Sequence, residues 1–494
     1  MNIQVETASQ LVPPFTPRAF YPIVLVSLSA LFSSCGGGDG GRSGASTSSG
    51  DVGSTPTAFC SPLSYGAVGD GTTDNTAAIQ NAIDACASQG GGLVKLTVVG
   101  TNAVYVTGPL TLKSHVDLDI DQGVTLQAIT THSRFVAAYI NWVYQPNEAL
   151  VSAKGAVDVS ITGSGTIDGA GDTPDPEDGG RTWHEVANDE NKVNPSTRPW
   201  VIEFYQCHQV MISGITLQHQ PYWTQALRYS SNIVEIGVTI NGFGRNSDGV
   251  DLVGDTNVTL SDLNISDSDD NIAIKSGLPI SKSDPYYSKE IGLPQLPTSH
   301  VSIKNITATN GQGLSIGSEA VNGVNDVTIE NVNFTNILYG FHIKTGRNLG
   351  GEIYGIKVNN FVMNAVSWPL VIDSFYTTVG PGVNGASQLV TATTPHVHDI
   401  AISNLVATGA TEQSYIRGLP ESCILNLSLD HVSIQTDYLG IQLVHMTGTF
   451  IDVASTPLPP NPPFQVLENV TVDTGGTTPP ILPTQPLPGQ RVCG

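Results

Sequence analysis

The chain has 494 residues, of which 52 are glycine, with 7% aromatic, 13% charged and a formal net charge of −23. That acid excess argues against nucleic acid or an anionic surface as partner, and leaves a polyanionic substrate only a locally basic cleft in which to bind. The length suits two or three average domains or one long repetitive one, and the Val, Ile, Thr, Asn and Gly that fill the middle favour many short strands joined by tight turns.

In chain order, Arg18 precedes an apolar run, Phe20 to Phe32, that is too short for a comfortable membrane span. Residues 1–35 therefore read as a signal segment. Ser33-Ser34-Cys35 and the flexible Gly/Ser linker at 36–58 resemble a bacterial lipoprotein processing site. The expectation is export with lipid on Cys35, hence an outer-membrane lipoprotein facing the periplasm or cell surface; plain secretion is the alternative. With Cys35 lipidated, cysteines 60, 86, 207, 423 and 493 remain, and at least one is unpaired. Cys60 with Cys86 makes a reasonable disulfide in an oxidising compartment, although sequence does not fix connectivity. No pair has zinc-ligand spacing.

Ser64 to Cys86 is a Gly- and Asp-rich loop followed by a helical pattern, with Asp74 or Thr76 as candidate cap and Ile79 and Ile83 on one face. Gly90-Gly91-Gly92 ends it and a strand follows. The loop lacks the GK[ST] ending of a phosphate loop. The plainer reading is a helix that covers the open end of a sheet.

From Val157 an alternating run recurs, at 157–161, 210–212, 233–236, 258–260, 301–303, 327–329, 356–358, 400–402 and 427–429. Successive starts after Val210 are 23, 25, 43, 26, 29, 44 and 27 residues apart. Most gaps are one coil, and the two long ones are a coil with an insertion, one of them the Pro-rich stretch 278–297. A coil of this size cannot bury its own apolar face, so neighbours must stack. Asn264, Asn305, Asn331 and Asn336 fall near turns, where asparagine tolerates left-handed backbone. The predicted fold is an all-β, single-stranded right-handed parallel β-helix over 59–455 with an N-terminal capping helix. A β-sandwich fits less well, because N-G and D-G hairpin turns are too infrequent. The Pro-rich segment 456–494 is expected to wrap the last coils or trail as a tail pinned by Cys493.

Asp248 lies 21 residues before Asp269 and 22 before Asp270. One coil apart, these carboxylates stack on one face, and three close carboxylates cannot all ionise easily. One pKa should rise, giving a proton donor beside ionised neighbours, which is what acid/base hydrolysis of a glycosidic bond needs. Gly311–Ser318 and Phe341–Gly346 extend the column downstream. Any single Asp in such a turn is by default a strand cap or a calcium ligand; the ordered set of four patches favours catalysis.

Asn246-Ser247-Asp248, Asp269-Asp270, Gly311-Gln312-Gly313 and His342-Ile343-Lys344 resemble, in order, the N-T-D, D-D, G-H-G and R-I-K motifs of glycoside hydrolase family 28, the polygalacturonase family. The Ser64–Cys86 stretch resembles the N-terminal cap of pectin-active β-helix proteins. The resemblance implies that Asp269 is the general acid, that Asp248 and Asp270 activate water, and that the reaction inverts configuration. It further implies substrate contacts at Asn246, Gln312, His342, Lys344 and Tyr376. Lys275 is a cleft cation or a buried partner of the aspartates, and Arg347 a solvated turn charge. Gln312 and His342 replace the family His and Arg, and Asp373 the usual glutamine. These changes keep hydrolysis but widen the substrate from plain galacturonan to rhamnogalacturonan or substituted pectin. No metal and no cofactor are expected, and the protein is expected to act as a monomer. A pectate-lyase-like enzyme and a non-catalytic glycan-binding adhesin are the competing readings. Trp142, Trp183, Tyr222 and Trp223 are candidate sugar platforms, more often packing.

Overall fold

The computed structural model describes residues 58–493 apart from 102, 143–144, 190–197, 278–293, 348, 377–384 and 477–478. The signal segment, Cys35 and nearly all of the linker lie outside the described residues, as does most of the Pro-rich insertion.

The chain winds as a right-handed parallel β-helix. The repeat found in the sequence is its register: Val159, Val210, Ile233, Val258, Val301, Val327, Ile356, Ile400 and Leu427 stand opposite one another on successive coils. One detail differs. The first run registers from Val159, while Val157 faces His208 and is exposed. Strand residues alternate in direction, so every second side chain enters the lumen. On the other sheet, Val250, Ile272, Leu314, Phe341 and Leu370 form such an inward row and are fully buried. Each buried side chain of this size contributes roughly 1.5–3 kcal/mol, shared between stacked neighbours.

The corners are set by left-handed residues. Asn305, Asn331 and Asn360 have φ of 56°, 57° and 56°. Their amides form a ladder, Asn331 donating to Asn305 (3.1 Å) and Asn360 to Asn331 (2.8 Å). Asn336, also at φ 57°, donates to Asn310 (2.6 Å). Asn264 does not turn the chain; it sits within strand Asn264–Ser266, because in that coil Asp262 (φ 56°) takes the corner and accepts from Asn305.

Both ends are covered. Helix Thr76–Ser88 buries Ile79, Ala82, Ile83 and Cys86. Its cap position is Asn75 rather than Asp74 or Thr76: Asn75 Oδ1 is committed to the Val68 N–H (2.6 Å), while Asp74 accepts the Thr76 N–H (3.0 Å). Gln80 exchanges two hydrogen bonds with the Thr111 backbone, N–H to Oε1 (2.9 Å) and Nε2 to carbonyl (3.0 Å), and so occupies the edge of the first cleft-sheet strand, Leu110–Leu112. Cys60 and Cys86 are bonded. At the other end stacking continues past 455, through Phe464–Val466 and Val470–Asp473, so the expected tail supplies one further coil. The last residues fold back, with Thr484 bonded to Val470 and Cys493 joined to Cys423. Cys207 is the buried free thiol among the described residues.

One polar pair interrupts the lumen. Gln225 and Glu235 are both fully buried, and Gln225 Nε2 donates to Glu235 Oε1 (2.8 Å). Gln225 Oε1 and Glu235 Oε2 have no hydrogen-bond partner among the described residues, and burial pushes the Glu235 carboxyl up to about 7.

Candidate active site

Val250 pairs with Ile272, so the residues two places earlier, Asp248 and Asp270, stand side by side at the mouth of the same sheet. Asp248, Asp269 and Asp270 each bring an oxygen within 4.8 Å of the other two. The close approach depends on Gly249, where a Cβ would lie 2.4 Å from the Asn271 carbonyl and 3.0 Å from Asp267 Oδ2. Asn246 holds the preceding turn at φ 56°. Its side-chain oxygen accepts from buried Arg198 (3.3 Å), which also donates to the Arg245 and Pro221 carbonyls. Asn246, part-exposed, is thus tied into the loop through its side-chain oxygen. Gln312 fixes the next loop through its backbone N–H, which donates to the Asp269 carbonyl (2.6 Å).

Two lysines oppose the acids. Lys344 Nζ lies 2.5 Å from Asp270 Oδ2, and Ser315 Oγ donates to Asp270 Oδ1 (2.7 Å). Lys275 Nζ lies 2.6 Å from Asp251, 3.4 Å from Asp248 and 4.0 Å from Glu319, and 3.9 Å from the centre of the Trp223 ring. Lys275 is only 4% exposed, so of its two expected roles the structure gives it that of internal counter-ion. Trp183, Tyr222 and Trp223, each 3% exposed, are packing residues. Arg347 is not a solvated turn charge; it is a part-buried, two-point partner of Glu421.

The three carboxyls differ in their fields. Burial and the Asp270 charge raise Asp269, the least buried of the three, to about 6. Burial and the Asp251 charge drive Asp248 well above the carboxylate range. Burial acts on Asp270 too, but the Lys344 and Lys275 ammoniums outweigh it and hold Asp270 below its ordinary value. The result is two raised carboxyls, Asp248 and Asp269, beside the ionised Asp270, so the site holds both a proton donor and a base. Among the described residues these three are also the one carboxylate group close enough to share a cation, although Lys344 and Lys275 already supply positive charge there.

The sequence model of glycosyl hydrolases family 28 matches residues 89–447. The chain belongs to that family. It is 30% identical to an endo-polygalacturonase from Pectobacterium carotovorum subsp. carotovorum over 308 residues, 61% of this chain and 72% of that one. It is 28% identical to a probable polygalacturonase from Vitis vinifera over 424 residues, covering 81% and 79% of the two chains. The family 28 exopolygalacturonase of Yersinia enterocolitica shares the fold, with a TM-score of 0.70 at 19% identity over 86% of this chain and 79% of that one. Membership makes this protein a polygalacturonase-like glycoside hydrolase.

Within the family frame, the downstream coils depart. His342 is 2% exposed, and neither ring nitrogen has a hydrogen-bond partner among the described residues. It stacks on Tyr339 (centroids 4.4 Å apart), which stacks on Trp368 (5.0 Å), and meets Tyr376 edge-on (5.8 Å). Burial and the Lys344 charge push its imidazole down to about 3, so it is neutral and offers no ionic grip. Tyr376 lies over the site with its ring 5.6 Å from Lys344 Nζ. Sequence reading missed Asp251, Asp267, Ser315, Glu319 and Arg417. Asp251 and Lys275 both point outward from strands one coil apart, a parity legible once the register is known. Asp267 is buried and accepts from Asn271 (2.7 Å).

Proposed function

We propose that this family 28 hydrolase cleaves glycosidic bonds of pectic polysaccharide by inverting acid/base catalysis, with Asp269 as acid and Asp248 and Asp270 as the water-activating pair. The observation that supports this is the trio of carboxyls within 4.8 Å on two stacked coils, two of them raised, Asp269 to about 6, and Asp270 held ionised by Lys344. Asp269 gives its proton to the leaving oxygen as the bond to the anomeric carbon breaks. Water adds to that carbon, and its proton passes to Asp270, with Asp248 holding the water in line. The polygalacturonase names of the relatives support a galacturonate-containing substrate. The neutral His342 favours, as a second reading, rhamnogalacturonan or substituted pectin, in which the sugar beside it carries no free carboxylate.

Replacing Asp269 with Asn is expected to cut reducing-sugar release on every pectic substrate by at least about a thousandfold with the fold intact. Activity that survives this change but is lost with a chelator would point to a lyase instead. Direct attack by a carboxylate, with retention, is the competing hydrolytic route at such close spacing. NMR of the first-formed product separates the two, since inversion requires the opposite anomer.

We further propose that the chain is exported and anchored through Cys35, and that it acts as a monomer. Labelled palmitate should enter the wild-type chain and not Cys35→Ala, and light scattering should give the monomer mass.

A further inference from the structure

The outward row that carries Lys344 continues downstream. Asp373 stands opposite Lys344, and Arg417 opposite Asp373. At ordinary strand spacing Arg417 is two coils, roughly 10 Å, from Lys344 on the same face. A coil rise is comparable in length to a pyranose ring, so successive coils can meet successive sugars.

Arg417 is braced in this position. One amino group donates to Asp373 Oδ2 (2.7 Å), and the guanidinium lies 4.0 Å from the centre of the Tyr415 ring. Asp373 is itself fixed by the Phe375 N–H on its other oxygen (3.0 Å) and is 4% exposed. Yet the Arg417 side chain as a whole remains 24% exposed, although its Nε is buried. A planar guanidinium tied to Asp373 through one amino group and still part-exposed is suited to a second carboxylate. Its placement also accounts for Asp373: a glutamine there would supply no counter-charge to hold the guanidinium.

We infer that Arg417, braced by Asp373 and Tyr415, binds a free uronate carboxylate of the substrate two coils beyond the Lys344 row, supplying the cation that position 342 lacks. This rests on the pectic reading above and narrows it. The sugar beside His342 need not be charged, whereas the one at Arg417 is an unesterified uronate.

The test uses the full chain with Arg417→Gln, Arg417→Lys and the double change Asp373→Asn/Arg417→Gln, which leaves no buried charge unpaired. Oligogalacturonides are compared with the same oligomers fully methyl-esterified. On the unesterified substrate Arg417→Gln should raise KM about tenfold, with the loss in KM rather than kcat, and on the ester the change should stay within about twofold. Arg417→Lys should recover part of the loss, and the double variant should behave like Arg417→Gln. Equal losses on both substrates, a loss confined to kcat, or no loss would each overturn the inference. Calorimetry in an Asp269→Asn background separates this from failure of the parent reading. If that protein binds no pectic oligomer, the pectic reading falls and takes Arg417 with it; if it binds them but Arg417→Gln changes nothing, only the role of Arg417 falls.

Discussion

The coils from Asn246 to Lys275 and those from Gly311 to Arg417 share one backbone plan and differ in what their outward side chains are asked to do. In the first pair, residues that never meet solvent set the chemistry. Gly249 permits the approach of the loops, Arg198 fixes the Asn246 turn, and Lys275 balances Asp248, Asp251 and Glu319. In the later coils the outward row is still buried as far as Asp373, but its charge has been redistributed. His342 is neutral and stacked, while the guanidinium stands two coils away on Asp373. Cleavage depends on a few ångströms and tolerates no displacement; binding of a repetitive polymer can move its ionic contact along the axis by whole coils.

The largest separation of the two regions should come from Lys344, which belongs to both. Lys344→Met removes the ammonium 2.5 Å from Asp270 and leaves a buried carboxylate that will rise toward protonation. We expect kcat/KM to fall by roughly a hundredfold to a thousandfold, with the acid limb of the pH profile moved upward. A pure KM effect with an unmoved acid limb would place Lys344 with the binding coils instead.

The wild-type pH profile comes next. Asp269 must be protonated to act, and its carboxyl is raised to about 6. The active form is therefore full below that pH and is lost above it, so kcat/KM should decline about tenfold per unit toward pH 8. A profile flat from pH 6 to 8 would remove Asp269 from the acid role.

A third test asks whether the lumen, rather than the cleft, limits stability. The Glu235 carboxyl is raised to about 7 from 4.5 when folded, so the unfolded chain gives up its proton first and stability drains away as pH rises from about 4.5 through 7. The loss is roughly 2–4 kcal/mol once complete. Glu235→Gln should abolish it, raising stability in denaturant titrations at pH 8 and leaving pH 4.5 little changed. Equal effects at both pH values would show that packing, not ionisation, governs the pair.

The smallest effect is expected at the most conspicuous departure. His342→Arg restores the family residue, but its charge would lie beside Lys344 in a buried stack. Activity on polygalacturonate should stay within about threefold and the melting temperature should fall. A tenfold gain would mean that the downstream coils are merely weakened, not rearranged.

The fold was legible because its signal is one-dimensional. A valine or isoleucine at the same point of every coil records which strand lies on which, and the triplets from Val210 to Leu427 fall into register as spaced. Asp248, Asp269 and Asp270 were legible for the same reason, since their offset is one coil. Asn264 was misread because turn chemistry is shared among Asn, Asp and Gly, and Asp262 does the turning in that coil. Arg417 was invisible because its meaning depends on the intervening coil, whose Asp373 links it to the Lys344 row. Asp251 and Glu319 look like ordinary strand and turn acids until Lys275 is seen between them.

The two disulfides hold the caps, not the coils. Cys60–Cys86 fastens the helix whose Gln80 occupies the first exposed edge, and Cys423–Cys493 fastens the segment that folds back over the last. A solenoid with bare ends is a pair of unsatisfied parallel edges, each a template for another chain. Reduction would thus endanger solubility before activity: the cleft in the middle would stay stacked while the uncapped ends invited end-to-end polymerisation.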